Sequence, residues 1–207
     1  ELASLGLKAV PVAARGGRYV EIMHVDQLRE FLGLPAEDAT AGYQELVEAL
    51  GCVLEAVERA VRQLPEGMLS APTSNRGRDI RELAYNIHYP VRLMVRALGS
   101  GLFDWSTAGD YAASRHFSST VDLAEFCRDT RQSWLETARR ATAGDVDRVA
   151  WTPKGLLTNR QILEAQAWHA AQHLRQIYIF LRESGIEPEH ELTADEMEPI
   201  RLGETVY

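Results

Sequence analysis

Thr40-Ala41-Gly42-Tyr43-Gln44-Glu45-Leu46-Val47-Glu48-Ala49-Leu50-Gly51-Cys52-Val53-Leu54-Glu55-Ala56-Val57-Glu58-Arg59-Ala60-Val61-Arg62-Gln63-Leu64 decides how the rest of the chain is to be read. Tyr43, Leu46, Val47, Leu50, Val53, Leu54, Val57, Ala60, Val61 and Leu64 recur at spacings of three and four. That is the stripe an α-helix turns toward a core. Pro65-Glu66-Gly67 ends it. The same period returns in 78–98, with Ile80, Leu83, Ala84, Ile87, Val91, Met94, Val95 and Leu98 inward and Gly99-Ser100-Gly101 as the stop. It returns in 120–141, which opens at Ser119 or Thr120, and in 159–183. The last segment opens on a capping box, Thr158-x-x-Gln161, and closes at Gly185. Four long amphipathic segments with no strands between them predict a mainly α fold, a four-helix bundle. The connections 101–118 and 143–157 are long and carry Trp105, Tyr111 and Trp151. Long loops in a compact bundle often cover a site.

Residues 1–36 read differently. Short β-type runs at 8–13 and 18–22 flank the turn signal Arg15-Gly16-Gly17 and predict a hairpin. Residues 25–34 follow as a short helix with Leu28, Phe31 and Leu32 on one side. Such a β-β-α unit is too small to hold a core of its own, so it is expected to dock on the bundle or on a second chain. Its open strand edges, with Val10, Val12 and Val20, suit pairing in a homodimer. The expected division is therefore 1–36, a bundle at 37–186, and an acidic tail at 187–207 that wraps the surface.

Composition narrows the class. Hydrophobic residues make up 45% and charged residues 25% of 207, ordinary for a globular protein. No apolar run approaches the ~20 residues of a membrane span, and no signal-peptide pattern opens the chain. It starts at Glu1 rather than Met, as a fragment or processed form would. A net charge of −8 argues against a nucleic-acid partner, which needs a basic face, and favours a cytoplasmic setting. Cys52 and Cys127 make no Cys-x-x-Cys motif and read as small buried hydrophobes.

The chemistry lies in Ala167-Trp168-His169-Ala170-Ala171-Gln172-His173. A gap of four puts both imidazoles on one helical face, one turn apart. Two neutral imidazoles so placed can grip one divalent ion. The 78–98 helix carries His88 beside its apolar stripe. Alone, a histidine there is more often a hydrogen-bonded core residue than a ligand, but bundle sites are assembled from facing helices. His88, His169 and His173 are therefore the expected metal ligands. Pro90, two residues on, removes a donor to the carbonyl of Asn86 and is expected to bend the helix. Three histidines leave an open coordination position. Zn²⁺ is the default for imidazole, with Ni²⁺ or Fe²⁺ also fitting.

These residues resemble a known family. A helix carrying Arg81-Glu82-Leu83-Ala84-Tyr85-Asn86-Ile87-His88, then His169-x-x-x-His173-x-x-Gln176-Ile177 in the last helix, is similar to the DinB-like (YfiT-like) superfamily of metal-binding four-helix bundles, over roughly residues 40–184. The resemblance implies a metal held by three side chains, which maps onto His88, His169 and His173. It also implies metal-dependent transfer or isomerisation with a low-molecular-weight thiol such as glutathione, mycothiol or bacillithiol, and hence a thiol S-transferase acting on an electrophile. Two alternatives stay open: a metal-dependent hydrolase or isomerase using metal-bound water, and a non-catalytic metal-binding or dimerisation module. Tyr85, Gln166 and Gln172 are the candidate catalytic side chains, able to orient ligands or donate to a substrate oxygen. Gln176 enters through the family motif. Arg92, Arg81 and Arg175 are the candidate cations for a thiol's carboxylates. The N-terminal stretch, Leu5-Gly6-Leu7-Lys8-Ala9-Val10-Pro11-Val12 then Gly16-Gly17-Arg18-Tyr19-Val20, looks like the second half of a glutaredoxin-like domain, with Val10-Pro11 at its cis-proline position. It lacks the first half and its Cys-x-x-Cys, so docking rather than redox chemistry is expected of it.

Overall fold

The computed structural model describes residues 12–22, 25–35, 41–73, 78–106, 111–153 and 155–202. Val10-Pro11, His24 and the last residues of the tail lie outside them. The chain divides into two compact units, Glu1–Thr40 and Ala41–Tyr207.

In the first unit, β1 (Val12–Arg15) and β2 (Arg18–Glu21) form an antiparallel hairpin with Arg15 opposite Arg18. Gly16 and Gly17 both take positive φ, 57° and 76°. A two-residue turn that matches strand twist requires this at both positions, and glycine adopts it without strain. Helix α1 (Val25–Leu32) follows, and the Arg15 guanidinium donates to the Leu32 carbonyl at 3.1 Å. Arg18 lies over the Phe31 ring at 5.7 Å.

The second unit is the bundle: α2 (Tyr43–Gln63), α3 (Ile80–Ser100), α4 (Thr120–Ala138) and α6 (Asn159–Glu183). The bounds follow local chemistry. Asp79 caps α3 and Glu82 reaches back, a capping box. Gly101, at φ 70°, ends α3 two residues beyond the expected stop, because the left-handed cap falls on the second glycine of Gly99-Ser100-Gly101. Ser119 caps α4, and the Glu66 carboxylate accepts from both Thr120 N and Thr120 Oγ1. Thr158 and Gln161 form the expected box on α6. Pro90 sits inside α3, which runs unbroken through it.

Packing does not follow chain order. Helix α2 packs along α4 and α6, and α3 packs along the other flanks of the same two, so α2 and α3 lie diagonally opposite. The core between them is apolar, with Leu50, Leu54, Leu83, Ile87, Leu123, Leu174 and Trp134 fully buried. Gly51 permits the α2–α4 approach: a Cβ there would stand 2.9 Å from Leu135 Cδ2.

One expectation is corrected. Residues 143–157 are not a plain loop. They hold α5 (Ala143–Asp147) and an antiparallel hairpin, β3 (Val149–Thr152) with β4 (Gly155–Thr158), so strands do stand between the long helices. Each strand is only four residues, too short for its alternation to stand out. The described part of the tail, expected to wrap the surface, runs against α2. It carries α7 (Ala194–Met197), buries Leu192 and Ile200, and is tied by Arg59 to the His190 carbonyl and by Gln63 to the Glu187 carbonyl and Glu189 N–H. Among the described residues, no helix is long and apolar enough to cross a membrane.

Candidate metal centre

The groove between α3 and α6 brings three polar side chains to one point. His169 Nε2 and His173 Nε2 are 3.1 Å apart, with the rings at 88° to each other. The Asn86 amide completes the triangle, its Nδ2 position 3.0 Å from His173 Nε2 and 3.3 Å from His169 Nε2. His173 Nδ1 lies 2.8 Å from Gln176 Oε1. A carbonyl oxygen only accepts, so His173 carries its proton on Nδ1 and its lone pair on Nε2, facing His169. His169 Nδ1 is buried without a partner, and so are both amide atoms of Gln172, a residue only 5% exposed. Burial first, then His173 and then Arg78, hold His169 far below the usual imidazole value, at about 3.

The donor set fits a divalent cation. Two tetrahedral ligands about 2.0–2.1 Å from one zinc ion stand about 3.3 Å apart, close to the 3.1 Å between the two Nε2 atoms. Asn86 also fits. Its Oδ1 and Nδ2 exchange places by a half-turn of the amide, and the orientation with Oδ1 inward offers an oxygen at the third corner.

His88 is not at this point, which corrects the expected three-histidine cluster. Among the described residues, no group of three or more His, Cys, Asp or Glu side chains is placed to hold a metal. The cause is helical phase. Successive helical residues turn by about 100°, so His88 is rotated about 200° from Asn86 and lies on the flank of α3 that faces α4. There it is fully buried, donates from Nδ1 to the Ala84 carbonyl at 2.8 Å, and lies 3.7 Å from Cys127 Sγ and 6.0 Å from the Phe126 ring centre. Burial is the main cause that lowers its pKa to about 4. Its Nε2 is buried without a hydrogen-bond partner among the described residues, so one of its two ring nitrogens is satisfied.

The other candidates sort by the same rotation. Tyr85 is turned about 100° from Asn86 and stacks on Tyr89 and Phe126, away from the imidazole pair. Gln166 is half-buried on α6, and among the described residues it bonds to neither imidazole. Arg92 lies 4.4 Å over Phe126 and donates to Thr130 Oγ1 at 2.9 Å, and Arg81 pairs with Asp79 at 2.9 Å. The guanidinium whose charge reaches His169 is that of Arg78, which the sequence reading did not single out. Thr73 N and Oγ1 both donate to the Arg78 carbonyl, at 2.7 and 2.9 Å, and fix its backbone at the mouth of α3. Asn86 was also missed. Its signal was its place on the α6-facing flank, seven residues after the Asp79 cap and so on the same face. His116 and His190 are exposed.

The fold and centre define a four-helix bundle with an inward histidine pair on its last long helix and an amide opposite. The family model of the DinB superfamily matches residues 75–177, a span that includes Asn86, His169 and His173. Over that span the bundle is similar to the superfamily. Among solved structures it is similar to YfiT from Bacillus subtilis, described as a probable metal-dependent hydrolase with an unusual four-helix bundle topology. The TM-score is 0.59 at 16% identity, over 74% of this chain and 94% of that one. It is also similar to a DinB-like protein, YjoA, of the same organism, with a TM-score of 0.55 at 16% identity, over 72% and 94% of the two chains. No curated protein matches the chain.

Proposed function

We propose that the bundle is a metal-dependent enzyme whose ion is held by His169 Nε2, His173 Nε2 and Asn86 Oδ1, and that it hydrolyses a small anionic substrate. The observation that carries the reading is the 3.1 Å approach of two imidazole nitrogens, with Gln176 holding the tautomer that turns the His173 lone pair inward. An ion bound there supplies Lewis acidity and lowers the pKa of a water or thiol beside it. The chain's own residues do the rest. Gln176 keeps His173 in its ligating tautomer, and the Asn86 amide spans the two rings from the facing helix. Arg78 sets a positive charge beside His169 in a chain of net charge −8, which favours a substrate bearing a carboxylate or phosphate. Neither cysteine is a ready thiolate: burial raises the Cys127 thiol, and Cys52, which is exposed on α2 rather than buried as expected, is raised by partial desolvation and by Glu196, Glu55 and Glu48. YfiT's description as a probable metal-dependent hydrolase points the same way.

A second reading is transfer of a low-molecular-weight thiol to an electrophile. It is favoured by the neutral donor set, two imidazoles and an amide, which leaves an ion its full charge for a thiolate. Metal analysis of the purified protein comes first, with zinc expected and nickel or iron as the other outcomes. Ester and amide hydrolysis, and conjugation with glutathione, mycothiol and bacillithiol, are then compared in wild type and His173→Ala. Hydrolysis lost in the variant supports the first reading, and thiol-dependent conjugation lost in the variant supports the second. Equal rates in the two proteins for every reaction sink both.

A further inference from the structure

Helix α6 carries one short motif twice in succession: His169-Ala170-Ala171-Gln172, then His173-Leu174-Arg175-Gln176. Each is a histidine with a glutamine three residues on. In the second copy the clamp is closed, with His173 Nδ1 2.8 Å from Gln176 Oε1. In the first copy it is open: His169 Nδ1, Gln172 Oε1 and Gln172 Nε2 are all buried and all without a partner. A buried polar atom left without a partner is costly to the fold. The closed copy shows that the spacing permits the bond, since helical side chains lean toward the N-terminus and residue i+3 reaches back to residue i.

The geometry points to Gln172 as a positioning residue that closes on His169 Nδ1 when the two Nε2 atoms take up a metal ion. This rests on the metal reading above. With the His169 lone pair on Nε2 given to an ion, the ring proton must lie on Nδ1, where it needs an acceptor, and Gln172 Oε1 is the buried acceptor at the right spacing. Closing satisfies two of the three buried atoms at once. It leaves the Gln172 amide N–H₂ as the remaining donor beside the site, suited to an oxygen of the substrate. The two imidazoles are then held by identical clamps one turn apart, and both Nε2 atoms stay fixed toward the same point.

The test is a zinc titration against a chromophoric chelator on wild type, Gln172→Leu and Gln172→Glu, with Gln172→Met as a second apolar variant should the leucine protein fail to fold. Loss of the acceptor is expected to weaken zinc binding 10–100-fold, while Gln172→Glu, which keeps it, matches or exceeds wild type. Nitrogen-15 spectra of the imidazoles read the cause. On adding zinc to wild type, His169 should carry its proton on Nδ1 with a hydrogen-bonded shift, and that shift should vanish in the apolar variants. Apolar variants that bind zinc as wild type does, with an unchanged His169 signal, overturn the role of Gln172 and leave the metal site standing. A wild type that takes up no zinc, nickel or iron removes the metal site itself, and this inference with it.

Discussion

The two flanks of α3 hold imidazoles in opposite circumstances. Toward α4, His88 is sealed among Ala84, Phe126 and Cys127, and its proton is committed to a backbone carbonyl. Toward α6, His169 and His173 turn their nitrogens at each other and at an amide. Both regions depress imidazole pKa values through burial. A perturbed pKa therefore does not distinguish the sealed histidine from the converging pair. Convergence of lone pairs does.

The largest expected effect separates the flanks directly. His169→Ala and His173→Ala should each abolish stoichiometric metal binding, because two remaining ligands seldom hold such an ion. His88→Gln should leave binding within about twofold, the ordinary scatter for a change that touches no ligand. Metal content by atomic spectroscopy decides it, and retention of metal by His173→Ala breaks the comparison.

Stability should show the reverse order. His88→Ala opens a cavity in a sealed part of the core and is expected to cost about 3 kcal/mol, read by chemical denaturation. His169→Ala, at a part-exposed groove, should cost less.

The same burial sets a pH dependence. His88 is lowered to about 4 from an ordinary 6.5, so between those values the unfolded chain binds a proton that the folded chain refuses. Stability then rises with pH across the window and is lost as pH falls from 6.5 toward 4, by up to about 3 kcal/mol. His169, lowered to about 3, contributes with the same sign. Denaturation midpoints measured from pH 7 to pH 4 should flatten in His88→Leu. An unchanged slope would remove His88 as the cause.

The smallest effect sharpens the comparison. Asn86→His places an imidazole at the third corner, and zinc affinity should rise about tenfold, roughly 1.4 kcal/mol, as an amide oxygen gives way to a better ligand. Weaker binding would show that the amide does not face the ion.

Much of this was legible in the chain. Helix α6 could be read to its bounds because Thr158, Gln161 and Gly185 are local signals that act through neighbouring backbone groups. The His169–His173 pair was legible because a spacing of four is a local geometric fact. The third corner was not. His88 is the conspicuous residue on α3, and chemical type outweighed phase, although Asn86 and His88 fall on opposite sides of the stripe. Which side met α6 depended on the diagonal placement of α2 and α3, a tertiary fact without a local signal. The β3–β4 hairpin was hidden for a different reason: four-residue strands held by Phe103 and Trp151 main-chain bonds draw on partners about 50 positions away.

That diagonal placement also sets when the site can come into being. Asn86 and its imidazole partners are 83 and 87 positions apart in sequence. During synthesis, α2, α3 and α4 emerge first, and α3 can settle against α4 while its other flank has no counterpart. The groove exists only after α6 leaves the ribosome and packs between α2 and α3. The three side chains therefore meet only on completion of the bundle, and on the reading proposed above an ion could not guide its early steps.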